Sequence, residues 1–432
     1  MPRLLISSIS VLAITGPLSA APLTLEPVIL NGDSPDGVVG TVTFARGTAR
    51  INDHGQWVAA FIATDKASGA VANYAYSHAG VVADPYAPFD FGGGITIPDP
   101  NVGAGDINNN GEVVFSIRGN AFDAKDDFLG FKGGLFTQSG PIVRGGDLSP
   151  LGSSYSSALD THGYELNDHG HLLASFRLGI TIFPGPDSLI QFIPNGDGSY
   201  ASVLHAARLQ PLSDGYTASA GYSPNLGTFS LNNAGSVAAG VAAIGTADVN
   251  EPWTLRDGQL VHTSGEVPLF GGSQFTLVPT QVTLNNSGDI GYLGGLENDD
   301  WDTGRWAVFR NDFELVWIDD GEIQHLEGRS ISGFRRLEMT DTGDLYWLAN
   351  FDDPLGLSHL GLFRNGELLV SSDPSIDEVL YFPTFTYDIS DNGEWLIIES
   401  QENGIFRARI PTPGPATVAL LATGITTLRR KR

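Results

Sequence analysis

Leu166-Asn167-Asp168-His169-Gly170 is one of seven versions of a five-residue element in this 432-residue chain. The others are Ile51-Asn52-Asp53-His54-Gly55, Ile107-Asn108-Asn109-Asn110-Gly111, Leu231-Asn232-Asn233-Ala234-Gly235, Leu284-Asn285-Asn286-Ser287-Gly288, Met339-Thr340-Asp341-Thr342-Gly343 and Ile389-Ser390-Asp391-Asn392-Gly393. Successive glycines stand 56, 59, 65, 53, 55 and 50 residues apart, the spacing of whole supersecondary repeats. The first position is always apolar, as befits the last core-facing side chain of a strand. Asn, Ser or Thr and then Asp or Asn follow, and such side chains hydrogen-bond nearby backbone in turns. The closing Gly supplies a positive φ. Each element therefore reads as a hairpin turn.

Working outward, each Gly is followed by a polar and then an apolar residue, and runs such as Val113-Val114-Phe115 and Trp395-Leu396-Ile397-Ile398 suit strands covered on both faces. A second hairpin follows in most repeats, with turns at Ser139-Gly140, Asp257-Gly258 and Asn365-Gly366. In the fifth repeat Asn311-Asp312 and Asp320-Gly321 compete for this turn, and in the first repeat no position stands out. Two hairpins per repeat make four strands, and a four-stranded unit repeated near 50 residues is a propeller blade. The expected fold is all-β: a seven-bladed β-propeller. A solenoid of hairpins or a pair of sandwiches would give the same turns, but a solenoid needs caps at its ends. Here the seventh repeat stops at Ile410 without its outer strand, and Val28-Ile29-Leu30-Asn31-Gly32-Asp33 matches the missing element. Residues 24–30 are thus expected to close the ring by adding the outer strand of the last blade, which also removes an exposed edge.

The two ends carry addresses. Arg3, the apolar run Leu4 to Ile14 and the small residues before Ala21 read as a signal peptide cut between Ala20 and Ala21. The expected organisation is a signal peptide at 1–20, the propeller at 21–410 and a sorting tail at 411–432. The tail holds Pro411-Thr412-Pro413, a charge-free stretch from Ala416 to Leu428, and Arg429-Arg430-Lys431-Arg432. Its hydrophobic stretch is shorter than the roughly 20 residues of a membrane helix, and the basic end follows the positive-inside preference. This tail resembles the PEP-CTERM class of bacterial sorting signals, with Thr412 where the usual glutamate stands. The repeats followed by such a tail resemble exported bacterial β-propeller repeat proteins of uncharacterised activity. The resemblance implies an exosortase-like sorting enzyme as a partner, a membrane contact through the tail alone, and a final place at the cell envelope surface or outside the cell.

Composition narrows the partners. The chain holds 49 acidic and 23 basic residues and no Cys. Removing Arg3 and the last four residues takes 23 to 18 and leaves a net charge of −31 on the propeller. Such a surface repels nucleic acid and anionic lipid. No phosphate-binding loop, nucleophile elbow or His-Glu-x-x-His appears, so no catalytic residue is assigned from motifs. His54, His169 and His171 read as turn or surface residues. The repeat aromatics (Trp57, Phe115, Phe136, Phe176, Trp253, Phe309, Trp347, Phe363 and Trp395) read as packing between blades.

In an up-and-down blade the two hairpin turns share one face of the disc, and the other connections share the opposite face. That second face is looser and richer in acid: Asp123, Asp126 and Asp127; Asp299, Asp300, Trp301 and Asp302; Asp352 and Asp353. Oxygen-rich loops suit calcium, but none follows a known calcium spacing, so no cofactor is expected and solvated acidic loops are the favoured reading. Trp301, in an acidic loop, reads first as a partly buried side chain, with contact to a sugar or partner as the alternative. The expected function is a monomeric, non-enzymatic binding scaffold for a surface polysaccharide or protein. The alternative is a secreted polysaccharide hydrolase with a carboxylate pair in the central channel, a pair that the sequence does not choose.

Overall fold

The computed structural model describes residues 23 to 410 except 46, 157–158, 160, 177–187, 213–214, 219–228, 245–249, 264–265, 270–272, 298–304, 312–313, 319–327, 377–379 and 383. Ala20, Ala21, Pro411, Thr412, Pro413, Arg429, Arg430, Lys431, Arg432, Asp299, Asp300, Trp301 and Asp302 lie outside the described residues.

Seven sheets, antiparallel except for a short parallel pairing of Leu380–Tyr381 with Glu367–Ser371, follow one another around a ring as a seven-bladed propeller, and the described residues form no α-helix. Each repeat turn joins the innermost strand of a blade to the next strand outward. In blade 3 the order is Thr161–Leu166, Leu172–Phe176, Ser188–Pro194 and Tyr200–Ala207. Blade 2 has Asn101–Ile107, Val113–Phe122, Phe128–Thr137 and Gly140–Arg144, with an added hairpin, Phe89–Gly92 and Ile95–Ile97, on its second strand. Blade 1 splits its inner strand into Thr41–Ala45 and Arg50–Ile51, both paired with Trp57–Thr64. The second turn of the fifth repeat falls at Asn311, between Arg305–Arg310 and Glu314–Ile318. In the first repeat it falls at His78-Ala79, between Val71–Ser77 and Gly80–Ala83.

The core lies between blades rather than within them. Val58 and Phe115 share one apolar cluster, Val114 and Leu172 a second, Leu173 and Val237 a third, and Leu293 and Trp347 a fourth. A strand in the middle of a blade is therefore covered on both faces, which explains its unbroken apolar runs. The repeat aromatics act in this layer: Phe115, Phe136, Phe176, Phe309, Trp347 and Phe363 are buried, and Trp317 of blade 5 packs against Trp347 of blade 6 with ring centroids 5.9 Å apart.

Closure takes the expected form. Leu25–Leu30 pairs antiparallel with Gly404–Arg409, the third strand of blade 7. Ile29 is buried in a cluster with Ile397 and Phe61, so the N-terminal strand contributes core as well as backbone pairing. Asp33 accepts the Leu30 N–H at 2.8 Å, as Asp147 does for Arg144 at 2.8 Å in blade 2. Glu399 fixes the same seam from inside, accepting N–H bonds from Gly47, from Thr48 at 2.8 Å and from Ala49 at 2.9 Å. Trp395 lies across Gly55, where a Cβ would sit 2.8 Å from the indole and φ is +70°. This turn accepts only glycine on both counts.

Ile29→Ala tests the closure. Removing a core isoleucine costs about 2–5 kcal/mol, and a urea titration should place Ile29→Ala in that range beside Ile397→Ala. A frayed closing strand would instead leave Ile29→Ala near wild type.

Candidate functional site: the channel and the long-looped face

The second residue of the repeat element does two jobs. Asn52, Asn108 and Asn167 each accept, through Oδ1, the N–H groups two and four residues on, at 2.9–3.1 Å. Their Nδ2 groups cross to the next blade: Asn52 donates to Asn108 O at 2.8 Å, Asn108 to Asn167 O at 3.0 Å and Asn167 to Asn232 O at 2.9 Å. Asn232 and Asn285 continue to Asn285 O and Thr340 O at 3.1 and 3.2 Å. The third residue makes a parallel ring. Its backbone N–H donates to the third side chain of the following blade, from Asp53 to Asn109 at 2.8 Å, Asn109 to Asp168 at 2.7 Å and onward to Asp341. Asp341 N–H instead meets the backbone O of Asp391 at 2.6 Å, and Asn392 N–H returns to Asp53 at 2.7 Å to close the circuit.

One residue before each element stands a polar side chain: Arg50, Asp106, Glu165, Ser230, Thr283, Glu338 and Asp388. With Arg336 they line a central cavity of about 120 Å³ whose mouth is formed by turn residues including Asp53, Asp168 and Asp391. Three of the carboxylates also reach the next blade. Asp106 accepts Leu166 N–H at 2.8 Å, Glu165 accepts Leu231 N–H at 2.7 Å and Asp388 accepts Ile51 N–H at 2.9 Å. Arg336 donates to Asp388 at 2.9 Å and Tyr387 O at 2.6 Å and pairs with Glu338, while Arg50 lies 3.6 Å from Asp388. Pairing is regular from Arg336 to Met339, so Arg336 and Glu338 share one side of their strand.

Four carboxyls confined with two guanidiniums cannot all ionise cheaply. Burial pushes Glu165 up to about 8, and Asp106 up to about 6. Glu338 is raised to about 8 by burial, against the pull of Arg336. At the mouth Asp391 faces into the channel and is raised to about 8 by its confinement and then by the charges of Asp53 and Asp341.

The acid-rich loops have a different character. Asp123 accepts the N–H groups of Lys125 and Asp127 at 2.8 and 2.9 Å, and Asp126 takes φ +64°. Asp353 accepts those of Leu355 and Leu357, both at 2.8 Å, and lies 3.3 Å from His359. Asp352 accepts the Ser332 hydroxyl at 3.1 Å. Asp123 and Asp353 therefore build their own loops, with the same hydrogen-bond pattern as Asn52. The two loops belong to blades 2 and 6 and are not brought together. Among the described residues no group of three or more His, Asp or Glu is arranged to hold a metal ion. His169 and His171 stand beside each other at a turn, and His171 with His205 brackets Gln191, which donates to Gly235 O of blade 4 at 2.9 Å.

This face also carries exposed apolar side chains. Val39, Tyr86, Leu148, Leu151, Leu209 and Tyr381 lie on connections between blades, and Val71, Phe128, Leu129, Leu355 and Leu357 lie in or beside the loops joining second and third strands. Leu355 is 84% exposed and Leu148 71%. None of the described repeat turns on the opposite face exposes a large apolar side chain.

No family model and no curated protein matches the sequence. Among solved structures the chain is similar to the Dos1 propeller, with 10% identity over 90% of this chain and 96% of that one and a TM-score of 0.40. It is similar also to the β-propeller domain of the Trilobed protease from Pyrococcus furiosus, at 11% identity, 86% and 97% coverage and a TM-score of 0.39. A gluconolactonase from Xanthomonas campestris stands at 10% identity, 91% and 98% coverage and a TM-score of 0.32. Ligand and activity must be read from this chain's own residues.

A carboxylate pair in the channel was one expectation, but the sequence named no residue for it. The signal was present, since the residue before the apolar first position is polar in all seven repeats.

Two measurements test this site. Asn167→Asp keeps the acceptor for its own turn but replaces the donor to blade 4, and it should cost about 1 kcal/mol or more. A purely local turn role would leave that variant neutral. Glu165 binds a proton more tightly folded than unfolded, so stability should fall as pH rises from its unfolded value near 4.5 toward 8. Glu165→Gln keeps an acceptor for Leu231 and should gain about 3 kcal/mol relative to wild type between pH 5 and pH 8. An unchanged slope of stability against pH would show that the carboxyl takes up no proton on folding.

Proposed function

We propose that the chain is an exported propeller of the cell surface or extracellular matrix, acting as a binding scaffold rather than an enzyme. The observation that carries this reading is that exposed apolar side chains of several blades stand on the acid-rich, long-looped face. Apolar groups set among acids suit an extended partner that offers both apolar contact and positive charge. The signal-like N-terminus and the PEP-CTERM-like tail support export and sorting by an exosortase-like enzyme. A surface polysaccharide or protein is the partner class that fits this address.

One observation favours the hydrolase alternative: Asp106, Glu165, Glu338 and Asp388 converge on one cavity. Three of the four, however, hold backbone N–H groups of a neighbouring blade, and Glu338 is paired with Arg336. Carboxylates so engaged are better explained as links between blades.

A glycan and protein-partner screen with the purified propeller, followed by Phe128→Asp/Leu355→Asp, separates the two. The scaffold reading expects binding without turnover and a loss of about tenfold or more in affinity for the double variant. Polysaccharide cleavage abolished by Glu165→Gln and untouched by the surface variant would establish the hydrolase instead.

A further inference from the structure

Filling a channel with ionisable groups is costly, since each must be paired or keep its proton. Asp106, Glu165 and Asp388 have a folding reason to be there, as links between blades, but Glu338, which pairs with Arg336 of its own strand, does not. The cavity wall has two unlike halves. Blades 6, 7 and 1 contribute the ion-pair chain of Glu338, Arg336, Asp388 and Arg50, whereas blades 4 and 5 contribute the hydroxyl residues Ser230 and Thr283. Within this wall Glu338 Oε2 is buried and has no hydrogen-bond partner. A buried acceptor left without a donor costs about 1–3 kcal/mol, and a ligand donor in the cavity would recover it.

We propose that the central cavity is a binding site for a small, neutral polyhydroxylated molecule of the polyol or monosaccharide class. The wall sets this chemistry. An anion would meet the surplus of carboxyls, and a cation would meet Arg50 and Arg336. A ligand dense in hydroxyls gives acceptors to the guanidiniums and donors to the carboxyls without bringing net charge into a confined site. Carboxyls held up near neutral pH suit it as well, because they both donate and accept. The cavity volume sets the size: about 120 Å³ is a little under the ~150 Å³ that holds the six heavy atoms of benzene, so a polyol of three or four carbons fits inside and a hexose enters only with part of its ring left in the mouth. Entry is from the mouth framed by Asp53, Asp168 and Asp391, on the face opposite the long loops. This site is therefore independent of the scaffold surface proposed above.

Isothermal titration of the full chain with glycerol, erythritol, myo-inositol, D-glucose and D-galactose tests the assignment, with gluconate and ethanolamine as charged probes. Saturable binding of at least one neutral probe is expected. It should weaken tenfold or more in Thr283→Phe, which fills the cavity, and stay unchanged in Phe128→Asp/Leu355→Asp. If circular dichroism shows that Thr283→Phe does not fold, Ser230→Leu takes its place. The proposal is overturned if no neutral probe saturates at up to about 50 mM, well above a millimolar Kd. It is overturned equally if only a charged probe binds, or if the filled cavity binds as wild type does.

Discussion

The carboxamide at the second position of each repeat turn is the group on which the ring depends. A side chain there must accept N–H bonds from its own turn and donate to the carbonyl of the next blade, and asparagine is the only residue of that length with both an acceptor and an N–H₂ donor. Five of the seven blades use it, and these five make the regular succession from Asn52 to Asn285. The third position follows from the same constraint. Its side chain receives the backbone N–H of the preceding blade, so it must carry an acceptor at the length of Asp or Asn. A buried N–H at the rim of the channel has few other partners, and leaving it unmet would cost as much as losing a hydrogen bond. Turn chemistry and ring closure are one requirement.

Departures from the rule collect where the chain's two ends meet. Thr340 and Ser390 accept from their own turns but lack the second donor that crosses blades. The turn of blade 7 is one residue longer: Ser390 N–H reaches Trp395 O, five residues on, whereas Asn52 N–H reaches Gln56 O, four on. That extra residue puts Asn392 in the ring position beside Asp53 and leaves Asp391 turned to the channel among other carboxyls. Other links make up the difference at this seam. Asp388 and Glu399 hold backbone N–H groups of blade 1, Arg407 donates to Gly55 O at 3.0 Å with its guanidinium over Trp395, and the N-terminal strand contributes Ile29 to the shared core. A ring closed by strands remote in sequence needs such long-range contacts, because no local turn holds that junction.

Much of this was legible in the residues. The seven glycines gave the blade count, the apolar runs gave strands covered twice, and the unmatched element at Val28 to Asp33 gave the closing strand, because each is a local pattern with one physical cause. The interblade role of the asparagines was not legible, since a residue that caps its own turn already has a sufficient local reason to be there. The second guanidinium of the channel was hidden for another cause. Arg336 lies two residues before Glu338 in regular pairing and so shares its side of the strand, but the repeat turn marks only the residue directly before it. The acidic loops misled in the opposite direction. Asp123 and Asp353 attract attention as charges, but both act as turn-forming acceptors.

The channel chemistry then follows from position rather than from composition. The backbone N–H of the first turn residue points toward the preceding blade, where the residue before that blade's turn stands. Asp106, Glu165 and Asp388 meet it with a carboxylate, which sets a carboxyl group at the axis in each of these blades. Accumulating acids at the axis raises their proton affinity and calls for compensating cations, which Arg50 and Arg336 supply from the two sides of Asp388. A polar, nearly balanced cavity is thus a consequence of stitching blades together through carboxylates. Blades 4 and 5, which place Ser230 and Thr283 at this level instead, are what make the cavity unequal around its circumference and able to orient a molecule within it.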